Sequence, residues 1–163
     1  MNPKLTTLKL FLETLGTNTR IDKLDDRKRV QKTIYLGQLT GVDLGYRFGW
    51  YLYGPYSPEL TRDYYSLATL HNDPTPEQWN LNDNVKERLQ QILPLMEPPV
   101  NLKSVLTIED WLELVASYHY LRSISRLPHE QVDQEFLNAR KQRLIPYVND
   151  ARAALIGVRL LSD

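Results

Sequence analysis

The sequence predicts a mainly α-helical protein with one short β element: a winged-helix-like N-terminal half followed by a helical C-terminal half. Three observations carry this. Apolar residues recur every three or four positions through most of the chain, the period of a helix that buries one face. One stretch, Leu44 to Leu52, alternates instead. Leu44, Tyr46, Phe48, Trp50 and Leu52 fall on one side, and Gly45, Arg47, Gly49 and Tyr51 on the other. Period two with aromatic enrichment is a strand signature. Lastly, Glu97, Pro98 and Pro99 force an extended crossing. It divides a single domain of residues 1–163 into halves of about 1–96 and 100–163.

The elements follow in order. Pro3 to Gly16 sets Leu5, Leu8, Phe11, Leu12 and Leu15 on one stripe, with Gly16 as C-cap. Asp25 or Asp26 caps a second helix that runs to about Thr40 and stops at Gly41. Its buried side is Val30, Ile34, Leu39 and the flanking Tyr35 and Leu36. The alternating strand comes next and ends at a Gly54-Pro55 turn. Its two glycines, Gly45 and Gly49, leave room for a segment or partner to approach. Ser57 then caps a helix with Pro58 at its first position and Glu59 against the positive end of the dipole. That helix repeats Leu60, Tyr64, Leu67 and Leu70 and ends near His71 to Pro74.

A polar loop, His71 to Asn84, precedes a helix started by Asp83 or Asn84 that carries Val85, Leu89, Ile92 and Leu93 and breaks at Pro94. Thr107 and Asp110 form a capping-box-like pair ahead of Ile108, Trp111 or Leu112, Val115, Tyr118 and Leu121. A helix through Val132, Phe136 and Ala139 follows Pro128. Pro146 starts the last helix, with Val148, Ala151, Leu155, Val158 and Leu161 in line. The apolar face of Tyr147 to Leu161 needs a cover, either its own domain or a second copy, so a homo-oligomer is one expectation.

The stretch "LGYRFGWYLYGPYSPELTRDYYSL", preceded by "RVQKTIYLGQLTG", resembles the YwgA-like family of small prokaryotic proteins. More distantly it is similar to the Panacea or SocA-like antitoxin domain of phage-associated proteins. The residues that carry the resemblance are Lys32, Ile34 and Tyr35, then Tyr53, Gly54, Pro55, Tyr56, Ser57, Glu59 and Leu60. It covers roughly the first half of the chain, and "WLELVASYHYL" extends it more loosely. The resemblance implies a mostly helical, winged-helix-like domain. For the antitoxin-like relatives it implies action by binding other proteins, a toxin among them. It brings no catalytic residues.

Composition narrows the chemistry. The chain has 163 residues, with 20 acidic and 20 basic side chains and no net charge, which weighs against a dedicated nucleic-acid binder. No cysteine is present, which excludes disulfides, thiolate metal sites and a cysteine nucleophile. The first residues carry no signal pattern and no apolar run has membrane length, so a cytoplasmic protein without membrane contact is expected. His71, His119 and His129 are far apart in sequence, and no metal or cofactor is expected. Ser57 is explained by capping and lies outside a Gly-x-Ser-x-Gly elbow. The glycines match no phosphate loop. The carboxylate pairs Asp25/Asp26, Glu109/Asp110 and Glu130/Asp133 all fall at helix starts, where acids are favoured. No catalytic residue is assigned.

Two groups remain. Arg27, Lys28, Arg29 and Lys32 put four cations in six residues near a helix start, where the dipole disfavours them. They form either a contact to phosphate or an acidic partner, or a solvated face beside Asp25 and Asp26. Tyrosine is abundant at ten residues, against three Phe and three Trp. Tyr51, Tyr53, Tyr56, Tyr64 and Tyr65 surround the Gly54-Pro55 turn, and Arg47 shares the Tyr51 face. Tyrosine with arginine is the composition of binding hot spots. The same cluster also suits packing of the turn onto the second helix, near Tyr35. The leading expectation is therefore a non-enzymatic module that binds a partner protein through Arg47, Tyr51, Tyr53, Tyr56 and Tyr65. The rival is a winged-helix DNA-binding regulator that uses Arg27, Lys28, Arg29, Lys32 and Arg62. A third reading is an enzyme whose site is assembled from distant residues.

Overall fold

A computed structural model of the chain describes residues 2–70 and 79–162. Among these the fold is mainly α with one short β hairpin. The order is α1 (Pro3–Thr14), α2 (Leu24–Gln38), β1 (Gly49–Tyr51), β2 (Gly54–Tyr56), α3 (Pro58–Thr69), α4 (Asp83–Gln90), α5 (Ile108–His119), α6 (His129–Asn138) and α7 (Val148–Gly157). The sequence pattern foresaw each helix. The start of the expected His71 to Asn84 loop lies outside the described residues.

Local chemistry sets the helix starts. Asn2 Oδ1 accepts from Leu5 N at 2.8 Å, Ser57 Oγ from Leu60 N at 3.3 Å and Thr107 Oγ1 from Asp110 N at 3.1 Å. Each bond satisfies a donor that the first turn leaves free, and such a cap contributes about 1 kcal/mol. Two expected caps move. Asn82, rather than Asp83 or Asn84, caps α4 by accepting from Val85 N at 2.9 Å. Asp26 lies inside α2 and accepts from the Lys23 backbone N–H at 3.1 Å, so it caps from its third position. The last helix starts at Val148, because Pro146 belongs to a tighter turn, Gln142–Tyr147, ahead of it. Leu93, placed on the buried side of α4 by its spacing, is exposed at the following turn.

The β element is shorter than its alternation suggests. Gly49 pairs with Tyr56, Trp50 with Pro55 and Tyr51 with Gly54. The hairpin turn is therefore Leu52-Tyr53, and Gly54-Pro55, expected as the turn, is the start of the second strand. Residues 44–48 run up to the ladder without joining it. The predicted sidedness holds at Tyr46, which is buried, and at Arg47 and Tyr51, which are exposed. It fails at Leu52, carried to solvent by the turn.

Close approach occurs at a different glycine from those expected. A side chain at Gly45 would meet nothing within 4 Å, and at Gly49 only the neighbouring Tyr51 ring. At Gly54, φ is +94° and a Cβ would overlap Ser117 Oγ. This position therefore needs glycine for its backbone and for its contact with α5.

The core is continuous through both halves. Leu8, Ile34, Trp111, Phe136 and Leu155 belong to one buried apolar cluster. Helix α5 packs against both α2 and α7, so α7 finds cover within its own chain. Burying a Leu, Ile or Phe side chain contributes roughly 1.5–3 kcal/mol. Trp111 is fully buried and spends its one polar atom on Leu95 O at 2.9 Å.

Candidate functional site

Helix α2 does more than bury an apolar stripe. Its Lys28, Gln31, Lys32 and Thr33 are buried as well. Spacings of three and four put Lys28, Gln31 and Lys32 on one face. That face meets the hairpin and the start of α3. Gln31 holds Ser57 at both backbone groups, accepting from its N–H at 2.9 Å and donating to its carbonyl at 3.0 Å. Lys32 Nζ donates to Pro55 O at 2.7 Å. From beyond α6, Lys141 Nζ donates to Leu52 O at 2.9 Å. Lys32 and Lys141 thus fix the hairpin backbone between α2 and α5, and Gln31 fixes Ser57 where the hairpin leads into α3.

At the centre of this seam is Glu113 on α5, only 1 % exposed. Lys28 Nζ lies 2.7 Å from its Oε1 and Lys141 Nζ 2.7 Å from its Oε2. Arg143 Nη2 reaches Oε1 at 3.1 Å and also Asp110 at 3.1 Å. Burial alone would raise the Glu113 carboxyl. Lys141 and Lys28 outweigh it and hold the carboxyl below its ordinary range. Burial lowers Lys141, and Glu113 offsets part of that. For Arg143, burial acts downward, and Glu113 with Asp110 turns the net shift upward. The Tyr53 ring lies beneath Lys28 Nζ at 4.9 Å and Lys141 Nζ at 6.0 Å, close enough for cation–π attraction.

Lys32 is different. It is 1 % exposed, and no carboxylate among the described residues lies within salt-bridge distance of it. Its pKa falls to about 7. Burial is the main cause, Glu113 opposes it at a distance, and Lys141 and Lys28 add to it.

The buried Lys28 and Lys32 are among the residues that line a cavity of about 330 Å³ between α2, the hairpin and α3, and we refer to them as its floor. Its walls include Tyr51, Tyr53, Tyr56, Tyr64 and Tyr65, and Leu24 and Leu52 also border it. The rim is open: Leu52 is 69 % exposed, Tyr51 50 % and Tyr65 48 %. The Tyr51 and Tyr56 rings meet edge to face at 5.0 Å, and Thr61 Oγ1 donates to the Tyr56 hydroxyl at 2.6 Å. Among the described residues no acidic side chain lines this cavity.

The structure therefore merges most of two groups that sequence kept apart. Tyr51, Tyr53, Tyr56 and Tyr65 come together with Arg27, Lys28 and Lys32. Arg47 and Arg62 are exposed and do not line the cavity. Arg47 precedes the first ladder pair of the hairpin. The basic cluster is neither a solvated face nor one outward patch for phosphate. Lys28 and Lys32 point inward, Arg27 Nη1 donates to Ile21 O at 2.9 Å, and Arg29 Nη2 donates to Gly16 O at 3.3 Å. Tyr35, expected near the turn, meets Phe48 instead, at 5.3 Å.

Sequence reasoning missed Glu113, Lys141 and Arg143. Glu113 had a signal, since it is the one charge in the apolar run from Trp111 to Ala116. Lys141 had none, because it lies in a connection 28 residues from its partner. Of the histidines, His71 is outside the described residues. His119 and His129 each sit 2.7 Å from a tyrosine hydroxyl, of Tyr35 and Tyr118 respectively. No family model, no curated protein and no solved structure matches the chain. Among the described residues no helix is long and apolar enough to cross a membrane.

Proposed function

We propose that the protein is a cytoplasmic, non-enzymatic interaction module that binds a partner protein through the face built by α2, the hairpin and α3. The observation that supports this reading is the exposed rim of Tyr51, Leu52 and Tyr65 around one tyrosine-walled cavity. Large apolar and aromatic side chains grouped at a concave surface are the usual composition of an interface centre. The hairpin backbone beneath them is fixed by Lys32 and Lys141, and Ser57 after it by Gln31, so little ordering cost is left for binding. Among the described residues the cavity's lining charges are cationic, which favours a partner surface that is apolar with acidic groups. The antitoxin-like resemblance agrees with this reading and suggests a toxin or other protein target.

The test is purification from the native cell, with light scattering and mass spectrometry of co-eluting species. A stoichiometric second protein is expected. It is lost when Leu52→Asp and Tyr65→Asp are combined, and it stays with Val100→Asp, which alters an exposed residue away from the cavity. A lone monomer, or a complex that survives the double substitution, refutes the proposal.

A further inference from the structure

The seam beneath the hairpin contains more positive than negative charge. Lys28, Lys32 and Lys141 are all buried, and Glu113 is the only buried carboxylate among the described residues. Glu113 is fully occupied, with Lys28 and Arg143 on one oxygen and Lys141 on the other. Lys32 has a single hydrogen-bond partner among the described residues, the neutral Pro55 carbonyl, for three N–H donors. An ammonium buried without a counter-charge is costly. Lys32 is also one of the residues that line the cavity.

We infer that the cavity is a binding site for a small organic monoacid, with the carboxylate on Lys32 and Lys28 and an aromatic or aliphatic body between the tyrosines. The volume, about 330 Å³, is at the lower end of ligand pockets and suits a body of one ring. The walls are aromatic, and stacking or edge contacts hold such a body. A single negative charge is what the floor lacks. Lys28 is already paired, and at the rim Arg27 turns its Nη1 onto Ile21 O. A dianion would meet one spare ammonium and keep an uncompensated charge. This ligand site stands independently of the partner-protein reading, although both share the Tyr51 and Tyr65 rim.

Binding is linked to protons. The titratable groups that line the cavity with Lys32 are Lys28 and Arg27 on α2, Tyr51, Tyr53 and Tyr56 on the hairpin, and Tyr64 and Tyr65 on α3, and Glu113 on α5 acts on it at a distance. Behind these lie Lys141 and Arg143. Of these, the group whose lowered pKa is about 7 is Lys32. A bound carboxylate favours its charged form and raises that pKa. The acid therefore binds most tightly below pH 7, and affinity falls by up to about tenfold per pH unit above it, until the pKa of the complex is reached.

The probes are benzoate, benzamide and phenyl phosphate, with calorimetry in two buffers of different ionisation enthalpy and amide chemical shifts on labelled protein. Benzoate is expected to shift Tyr51, Tyr65 and Lys28 resonances and to take up protons near pH 7. Benzamide is expected to do neither, and phenyl phosphate to bind more weakly than benzoate. Lys32→Met is expected to abolish the proton uptake. Where that variant does not fold, the affinity of the unmodified protein for benzoate from pH 6 to about pH 8.5 decides the matter. The inference fails if benzoate and benzamide bind alike, if phenyl phosphate binds more tightly, if benzoate perturbs residues away from the cavity, or if its affinity is flat with pH.

Discussion

Helix α5 carries two buried polar seams, and they are built in opposite ways. At Glu113 the seam is ionic: one carboxylate holds Lys28, Lys141 and Arg143. At His119 it is neutral. The Tyr35 hydroxyl lies 2.7 Å from Nδ1, and burial lowers the imidazole to about 4, with the Leu160 backbone partly opposing. The neutral seam is complete in itself. The ionic seam has cations to spare and opens into the tyrosine-walled cavity. A polar group buried only for structure tends to be matched by its own fold. The surplus at Lys32 is therefore a sign of binding, and the matched pair at His119 is a sign of packing.

The sharpest way to break this comparison is Glu113→Ala. Removing one partner of a buried pair leaves the others unpaired, which costs about 3–5 kcal/mol. Here two buried lysines lose their carboxylate at once while Arg143 keeps Asp110, so denaturant melts should place the variant towards the upper end of that range. The midpoint should also respond to anions in the buffer more than in the unmodified protein, because anions can replace the missing charge. A loss below about 1 kcal/mol would mean that the seam is solvated and the ionic reading is wrong.

These two seams were not equally legible. The stripe of α1, the Ser57 cap and the Thr107 cap were all readable, because period and capping are local and act within one turn. Tyr51, Tyr53, Tyr56 and Tyr65 were readable as a group because they are near in sequence. The ionic seam was not, since its parts lie on α2, on α5 and after α6. Lys28 and Lys32 were visible as charges, and sequence pattern assigned them to the surface. Inside the fold Lys28 meets Glu113 and Lys32 meets the Pro55 carbonyl, and a pairing across 85 residues for Lys28 leaves no periodic trace.

Lys32→Met sharpens the comparison with the opposite sign. A lysine whose folded pKa lies near 7 and whose unfolded pKa is 10.5 binds fewer protons folded than unfolded between those values. Its contribution to stability therefore rises from pH 7 to about 10.5 and is at its least favourable below 7. Methionine removes that penalty. The variant is expected to gain about 1–3 kcal/mol over the unmodified protein near pH 6, and the gain shrinks as pH approaches 10. Urea titrations of both proteins across that range measure it. A gain that does not vary with pH would show Lys32 to be charged throughout, with a counter-ion already in place.

Tyr35→Phe probes the neutral seam and has the smallest expected effect. The ring keeps its edge contacts with Phe48 at 5.3 Å and His119 at 5.6 Å, so no cavity of side-chain size opens. What is lost is one hydroxyl facing His119 Nδ1, and an unmade buried hydrogen bond of this kind costs about 1–2 kcal/mol. The cost should be constant from pH 6 to about pH 9, because an imidazole lowered to about 4 stays neutral through that window. It should also leave benzoate binding at the cavity unchanged. A pH-dependent loss between 6 and about 7 would mean that His119 charges there once its partner is gone. The neutral seam would then be neutral only because Tyr35 keeps it so, and the contrast between the two sides of α5 would be one of pairing rather than of kind.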